Sequence, residues 1–311
     1  MSLMPPRLRF PLVLGALALT GILQPAAAME GGQSLYFKGY RDFMTGVLPS
    51  QGVQLREDIF LYNGTERSTV PQGQLTIGGK SVTSVLSATF ITPYHFLGGD
   101  YAFAVRGAFG NISASQSVAT PRGNSSASGK LAAFNDIVVS PFIVGWHSGY
   151  FHWNVSTSVW LPAGSYDKTR TANTGKNIWG FSPQLGVTYL NPTTGWDLSA
   201  AAILVTTSKN PATNYYSGNV AHFDFAFGKF LSPQFKVGVV GYYAQQITDD
   251  SGTGAIVGPR RLRVVGLGPG ASYSFAMNDV AVTLVAKYYR EFDAQNTTQG
   301  DTGILSARVK F

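Results

Sequence analysis

In the stretch Phe151-His152-Trp153-Asn154-Val155-Ser156-Thr157-Ser158-Val159, Phe151, Trp153, Val155 and Val159 fall on one face and His152, Asn154, Ser156 and Ser158 on the other. The same two-residue period recurs along the chain. Tyr101, Phe103, Val105 and Phe109 alternate with Ala102, Ala104, Arg106 and Ala108, and Trp179, Phe181, Leu185, Val187 and Tyr189 with Gly180, Ser182, Gln184, Gly186 and Thr188. Phe223, Phe225 and Phe227 flank His222, Asp224 and Ala226 in the same way. A helix would need a period of about 3.6, whereas a period of two specifies strands with one apolar face and one small or polar face.

Read this way, the sequence predicts 12 strands, at about 53–62, 76–90, 101–111, 133–146, 150–161, 178–189, 196–207, 219–230, 235–247, 259–275, 280–291 and 302–311. Long and short connections alternate between them. The short ones, such as His147-Ser148-Gly149 and Leu231-Ser232-Pro233-Gln234, carry turn-forming residues, and the long ones, such as 111–130 and 162–176, are polar. The pattern predicts an all-β, antiparallel, up-and-down transmembrane β-barrel with short periplasmic turns and long extracellular loops, because consecutive strands then collect one class of connection at each rim. A soluble sandwich also alternates, but Greek-key connections do not sort by length in this way.

The physical reason for a closed ribbon is the solvent. Lipid offers no hydrogen bonds, so backbone groups must pair between strands and the sheet must have no free edge. Outward side chains must be apolar, while inward ones meet water. Tyr62, Tyr101, Trp146, Trp160, Trp179, Tyr189 and Trp196, near strand ends, are expected at the membrane interfaces. Some places resist the pattern. Glu57 lies on the apolar face of the first strand, residues 137–146 lack a polar face, and Gly266-Leu267-Gly268-Pro269-Gly270 predicts a bulge or a break.

Composition agrees. Only 13% of the residues are charged, 44% are hydrophobic, and there is no cysteine, which excludes disorder, disulfide scaffolds and thiolate metal sites. Arg7 and Arg9, the apolar run 10–23 and Ala26-Ala27-Ala28 predict a secretory signal peptide over 1–28. Its removal would leave 283 of the 311 residues and lower the net charge from +7 to +5. The run is too short for a membrane anchor, and no later window reaches the roughly 18 apolar residues of a spanning helix. Residues 29–52, with Tyr36, Phe37, Tyr40, Phe43, Val47 and Leu48, are expected to form a plug or lead segment inside the barrel or along its periplasmic mouth, and 53–311 the barrel itself. Leu305, Ala307, Val309 and Phe311 alternate up to the last residue, an aromatic ending suited to recognition by the outer-membrane assembly machinery. Together these features place the protein in the bacterial outer membrane.

Reactive motifs are scarce. Gly266-x-Gly268-x-x-Ala271 matches a dinucleotide fingerprint in letters, but no helix follows it. The stretch Gly78-Gly79-Lys80-Ser81 lacks the first glycine of a phosphate loop, and no nucleophile elbow occurs. His95, His147, His152 and His222 show no metal-ligand spacing, and 249–252 lacks the length of a calcium loop, so no metal and no cofactor are expected. The charge forms no nucleic-acid patch. Inward parity gives Arg56, Arg106, Lys236, Lys287, Arg308 and Lys310 against Asp58 and Asp224, which predicts a mild preference for anions. The alternative is that these cations pair with acids of the N-terminal segment or lie at the rim, as expected for Lys236 and Lys310. The residues expected to line the lumen are Arg106, His152, Asn154, Gln184, His222, Asp224 and Lys287.

Several strings occur in order: Trp146-His147, Phe151-His152, Leu161-Pro162-Ala163-Gly164-Ser165-Tyr166-Asp167, Gly175-Lys176-Asn177, Thr188-Tyr189-Leu190-Asn191-Pro192-Thr193-Thr194-Gly195-Trp196, and Tyr288-Tyr289-Arg290-Glu291-Phe292. Ser217-Gly218, His222-Phe223-Asp224, Gly241-Tyr242-Tyr243 and the run 246–252 continue them. In these the chain resembles the outer-membrane family tied to the meta-cleavage pathway of phenol degradation, well over 135–311 and more loosely before. The resemblance implies uptake of small hydrophobic or aromatic compounds and supplies no catalytic residues. The expectation is a non-enzymatic barrel in contact with outer-membrane lipids that passes such solutes into the periplasm by diffusion. The competing readings are a lipid hydrolase, with a serine beside His152 or His222, and a structural or adhesive barrel without transport.

Overall fold

The computed structural model describes residues 30, 32–70, 73–121, 123–256, 258–278 and 280–311, so the expected signal peptide lies outside the described residues. Thirteen antiparallel strands make one sheet: β1 (Gly52–Val70), β2 (Gly73–Phe96), β3 (Gly99–Thr120), β4 (Gly123–Phe134), β5 (Ile137–Ser148), β6 (Phe151–Leu161), β7 (Gly180–Asn191), β8 (Trp196–Thr207), β9 (Val220–Phe230), β10 (Phe235–Gln246), β11 (Arg263–Met277), β12 (Val280–Gln295) and β13 (Gln299–Lys310). The sheet closes where β1 meets β13, from Gln54↔Lys310 to Thr65↔Gln299. Twelve strands form the wall, and β4 is an addition to it.

The extra strand arises from a break. The lower half of β3 pairs with β5 and its upper half, from Phe109↔Phe134 to Thr120↔Gly123, with β4. Thus β4 and β5 follow the same side of β3, interrupted at Asn135-Asp136. The Asp136 carboxylate there accepts the backbone N–H groups of Gly164 and Lys176, both at 2.9 Å, and so pins the 162–179 loop to the wall. The loop's two arms meet at Gly164 and Gly175, where a Cβ on Gly164 would stand 2.6 Å from the Gly175 Cα.

Four strands reach farther than alternation reveals. Residues 63–75 and 112–132 read as connections in the sequence, yet β1–β2 pairing continues to Val70↔Gly73 and β2–β3 pairing to Gln74↔Ala119. Together with β4 these stretches form a four-stranded sheet rising past the other strands at the outer end. One face meets water, and the other buries the polar Glu66 and Gln116 alongside Leu75, so neither selects apolar side chains at every second residue and the two-residue signal fades. The longest outer loops are 162–179, 208–219 and 247–262.

Elsewhere the faces separate as the wall requires. Leu61, Leu86, Phe103, Phe181, Leu185, Phe223, Phe227 and Leu305 point outward, while Asp58, Ser87, Asn154, Ser182, Thr188, Asp224, Lys287 and Glu291 are buried on the lumen side. Glu57 does face outward, its carboxylate accepting the Ser84 hydroxyl at 2.9 Å. Trp179 and Trp196 are half exposed, as an interfacial role requires, but Trp160 is 5% exposed and packs with Leu35, and Tyr62 turns inward to Glu291. Nor do the 266–270 glycines break their strand. A register shift falls between Arg263 and Val265, and β11 then runs straight through. These glycines leave room for large neighbours, since a Cβ on Gly266 would collide with the Tyr242 ring.

Candidate functional site

The lumen is occupied by the chain's own residues before β1. This segment begins among the outer loops, where the Glu30 carboxylate accepts the Tyr166 hydroxyl at 3.1 Å and the Asn210 amide at 2.7 Å, and its backbone oxygen accepts the Lys176 ammonium at 3.1 Å. It ends at the periplasmic rim, where the Gln51 carbonyl accepts the Lys310 ammonium at 2.9 Å. It therefore passes through the barrel from end to end. At the outer anchor, burial and the Glu30 charge push the Tyr166 phenol up to about 12, and burial lowers the Lys176 ammonium despite Glu30 and Asp136 nearby.

Apolar rings set its upper half. Leu35 and Tyr36 pack with Trp160, Ile178, Ile203 and Val205, and Phe37 lies 4.9 Å, centroid to centroid, from Phe60. Phe43 is buried between Val240 and the glycines of β9 and β11. Polar ties fix the rest. The Tyr36 hydroxyl donates to Asp224 Oδ2 at 2.6 Å, and the Arg41 backbone N–H reaches the same oxygen at 3.1 Å. The Arg41 guanidinium bonds Gln184 at 2.9 Å, Ser156 at 3.2 Å and Asn154 at 3.3 Å. Lower down, Met44 N–H donates to Ser199 at 2.9 Å and Gly46 N–H to Thr188 at 2.8 Å.

Charge is concentrated at two carboxylates. Asp42 is bonded by Arg308 at 2.5 Å and Lys287 at 2.8 Å, with Arg56 at 3.7 Å. Arg56 is also bound by Asp58 at 2.7 Å. Glu291 pairs with Lys38 and accepts the Tyr242 hydroxyl at 2.7 Å and the Tyr62 hydroxyl at 3.1 Å. Sequence reading missed Arg41, Asp42 and Glu291 as lumenal groups. The parity of Lys287 and Tyr289 on β12 extends to Glu291 and would have found it. Nothing local marks Arg41 and Asp42, which lie in irregular chain.

The seven lumen-lining candidates divide as follows. Asn154, Gln184, Asp224 and Lys287 bind the segment directly, and His222 Nε2 lies 3.0 Å from the Ser34 hydroxyl. Arg106 donates to Ser140 at 3.1 Å and stands over the Tyr40 ring. His152 is at the periplasmic mouth, beside His147. The His222–Ser34 pair resembles two members of a hydrolytic triad, but Asp224, two residues along, gives its Oδ2 to Tyr36 and Arg41 instead. The net positive inner wall expected from parity is largely neutralised: Asp42 gathers three of its cations, and Lys236, expected at the rim, is buried against Asp197 at 2.5 Å.

A closed twelve-strand wall with an apolar outside and a polar inside defines an outer-membrane β-barrel, and the protein resides in the bacterial outer membrane. The chain belongs to the family described as "Putative MetA-pathway of phenol degradation", whose model matches residues 63–307. Its fold is similar to the COG4313 outer membrane channel from Pseudomonas putida F1, with 11% identity, a TM-score of 0.61, and coverage of 85% of this chain and 97% of that one. A Pseudomonas aeruginosa FadL homologue aligns with 12% identity, a TM-score of 0.44, and coverage of 93% and 98%. The transport unit of the Escherichia coli autotransporter AIDA-I aligns with 13% identity, a TM-score of 0.46, and coverage of 84% and 90%. No curated protein matches the sequence.

Proposed function

We propose that this barrel passes small hydrophobic or aromatic compounds across the outer membrane by diffusion, without catalysis, and that residues 32–51 gate the path. The observation that carries the reading is the lumen's strip of rings, Phe37, Tyr40 and Phe43 packed in one cluster with Phe60, Tyr242 and Tyr289, with Arg106 and Arg56 over the Tyr40 face. Rings that can stack, next to the Arg106 guanidinium, which is bonded to the Ser140 hydroxyl and can meet a carboxylate or phenolate, suit small aromatic solutes better than sugars. The pathway in the family's description and the similarity of the fold to an outer membrane channel support the same reading.

Uptake of benzoate and phenol into vesicles with a lipopolysaccharide outer leaflet tests the reading, since plain phospholipid already admits phenol. Entry should rise when the protein is present and rise further when residues 32–48 are deleted. Rates equal to protein-free vesicles in both cases would refute it.

A further inference from the structure

The β5–β6 hairpin sets His147 directly opposite His152, and their Nδ1 atoms lie 2.7 Å apart. Spacing in sequence hides this, because an antiparallel turn, not a helix, joins the two. Asp100, at the start of β3 and in register with Gly145, brings Oδ2 to 3.7 Å from His147 Nε2 and Oδ1 to 3.0 Å from His95 Nδ1. The side chains are open to periplasmic water, with His147 37% and Asp100 36% exposed. A chain of three imidazoles and one carboxylate thus runs along the inner mouth. The backbone of the lumenal segment passes directly beneath it, so close that a Cβ on Gly46 would collide with the His152 carbonyl.

We propose that His147 and His152 bind a late first-row divalent metal ion, of which zinc is the representative, through their two Nδ1 atoms. Zinc–imidazole bonds of about 2.0–2.1 Å in tetrahedral geometry set the two nitrogens roughly 3.3 Å apart. Reaching that from 2.7 Å needs only a small rotation of exposed rings. Among the described residues no three His, Cys, Asp or Glu side chains are already arranged as a metal site, so the ion is held by two rings and completes its shell with water. Asp100 is placed for the supporting part: its Oδ2, 3.7 Å from His147 Nε2, would close to a hydrogen bond as the ring rotates onto the metal, fixing the tautomer that leaves Nδ1 free, while the carboxylate's other oxygen lies 3.0 Å from His95 Nδ1. Imidazole donors select zinc, copper or nickel over magnesium and calcium, which prefer oxygen. The ion would tie the hairpin at the place where the lumenal segment leaves the barrel.

The test is titration of the full chain, without a polyhistidine tag and folded in detergent, with zinc chloride followed by calorimetry. The expected result is one zinc per chain, at least tenfold weaker binding in His147→Ala and in His152→Ala, and about tenfold weaker binding in Asp100→Asn. His222→Ala should bind as wild type does, and magnesium chloride should give no heat. Protection of His147 and His152 from diethyl pyrocarbonate by zinc, read in the wild-type chain by mass spectrometry, needs no variant to fold. Absence of zinc binding to folded wild type, binding as tight as the wild type's in either histidine variant, or unprotected rings at saturating zinc would each overturn the proposal.

Discussion

Asp42 is where the wall's positive charge and the lumenal segment meet, and its neutralisation is the sharpest perturbation the structure offers. The carboxylate is 1% exposed and holds Arg308, Lys287 and Arg56, of which Lys287 is fully buried. Asp42→Asn keeps the volume and removes the charge. Breaking a buried ion pair by removing one partner costs about 3–5 kcal/mol, because the other charge stays uncompensated. Asp58 continues to serve Arg56, so the lower end, about 3 kcal/mol, is appropriate. At about 1.4 kcal/mol per factor of ten, this raises the population with the segment displaced about 100-fold. In planar bilayers the expected outcome is a comparable rise in open probability, with the reversal potential in a salt gradient shifting toward anions as the freed cations face the pore. Adding Lys287→Met should take back part of the anion preference. A folded Asp42→Asn barrel with wild-type open probability and reversal potential would refute the view that this cluster holds the segment in place.

Other outcomes can be measured directly. Glu57→Leu replaces an outward carboxylate among Leu55, Ile59 and Leu61, and should stabilise the barrel by on the order of 1 kcal/mol in urea unfolding from phospholipid vesicles. Tyr166 and the Glu30 anchor carry a pH dependence. A phenol raised from 10.0 to about 12 in the folded state contributes stability that is fully present below pH 10 and lost as the pH rises through 12. The absorbance difference between wild type and Tyr166→Phe should titrate in that window, and a midpoint at or below 10 would contradict the buried contact. Phe311 exchanges backbone hydrogen bonds with Val53 at 2.9 and 3.3 Å, tying the last strand to the first. Its deletion should lower the yield of folded protein in outer-membrane fractions several-fold if assembly also reads the terminal ring, whereas refolding in detergent should change little.

Alternation carried most of the wall into view because each membrane-level residue answers to one of two solvents. Phe151 and Val155 meet hydrocarbon and Asn154 and Ser156 the interior, and the order of residues records this without reference to any other strand. The projecting ends of β1 to β4 were illegible for the converse reason, since one face meets water and the other buries polar Glu66 and Gln116 beside Leu75, leaving no apolar–polar alternation to record. Lumenal candidates on strands could be read from parity alone, but their partners could not. Arg41 and Asp42 occupy irregular chain with no period, and only its path through the barrel brings them to Gln184, Lys287 and Arg308.

The order of residues was enough to require that a ribbon of alternating strands close on itself within a membrane, since that follows from local side-chain polarity and the unmet hydrogen bonds of an edge. It took the folded barrel to establish that the interior is filled, that its cations are matched by Asp42, Asp58 and Asp197, and that His147, His152 and Asp100 meet at one rim. Those are contacts between residues distant in sequence or joined across strands, and they exist only once closure fixes which strands are neighbours.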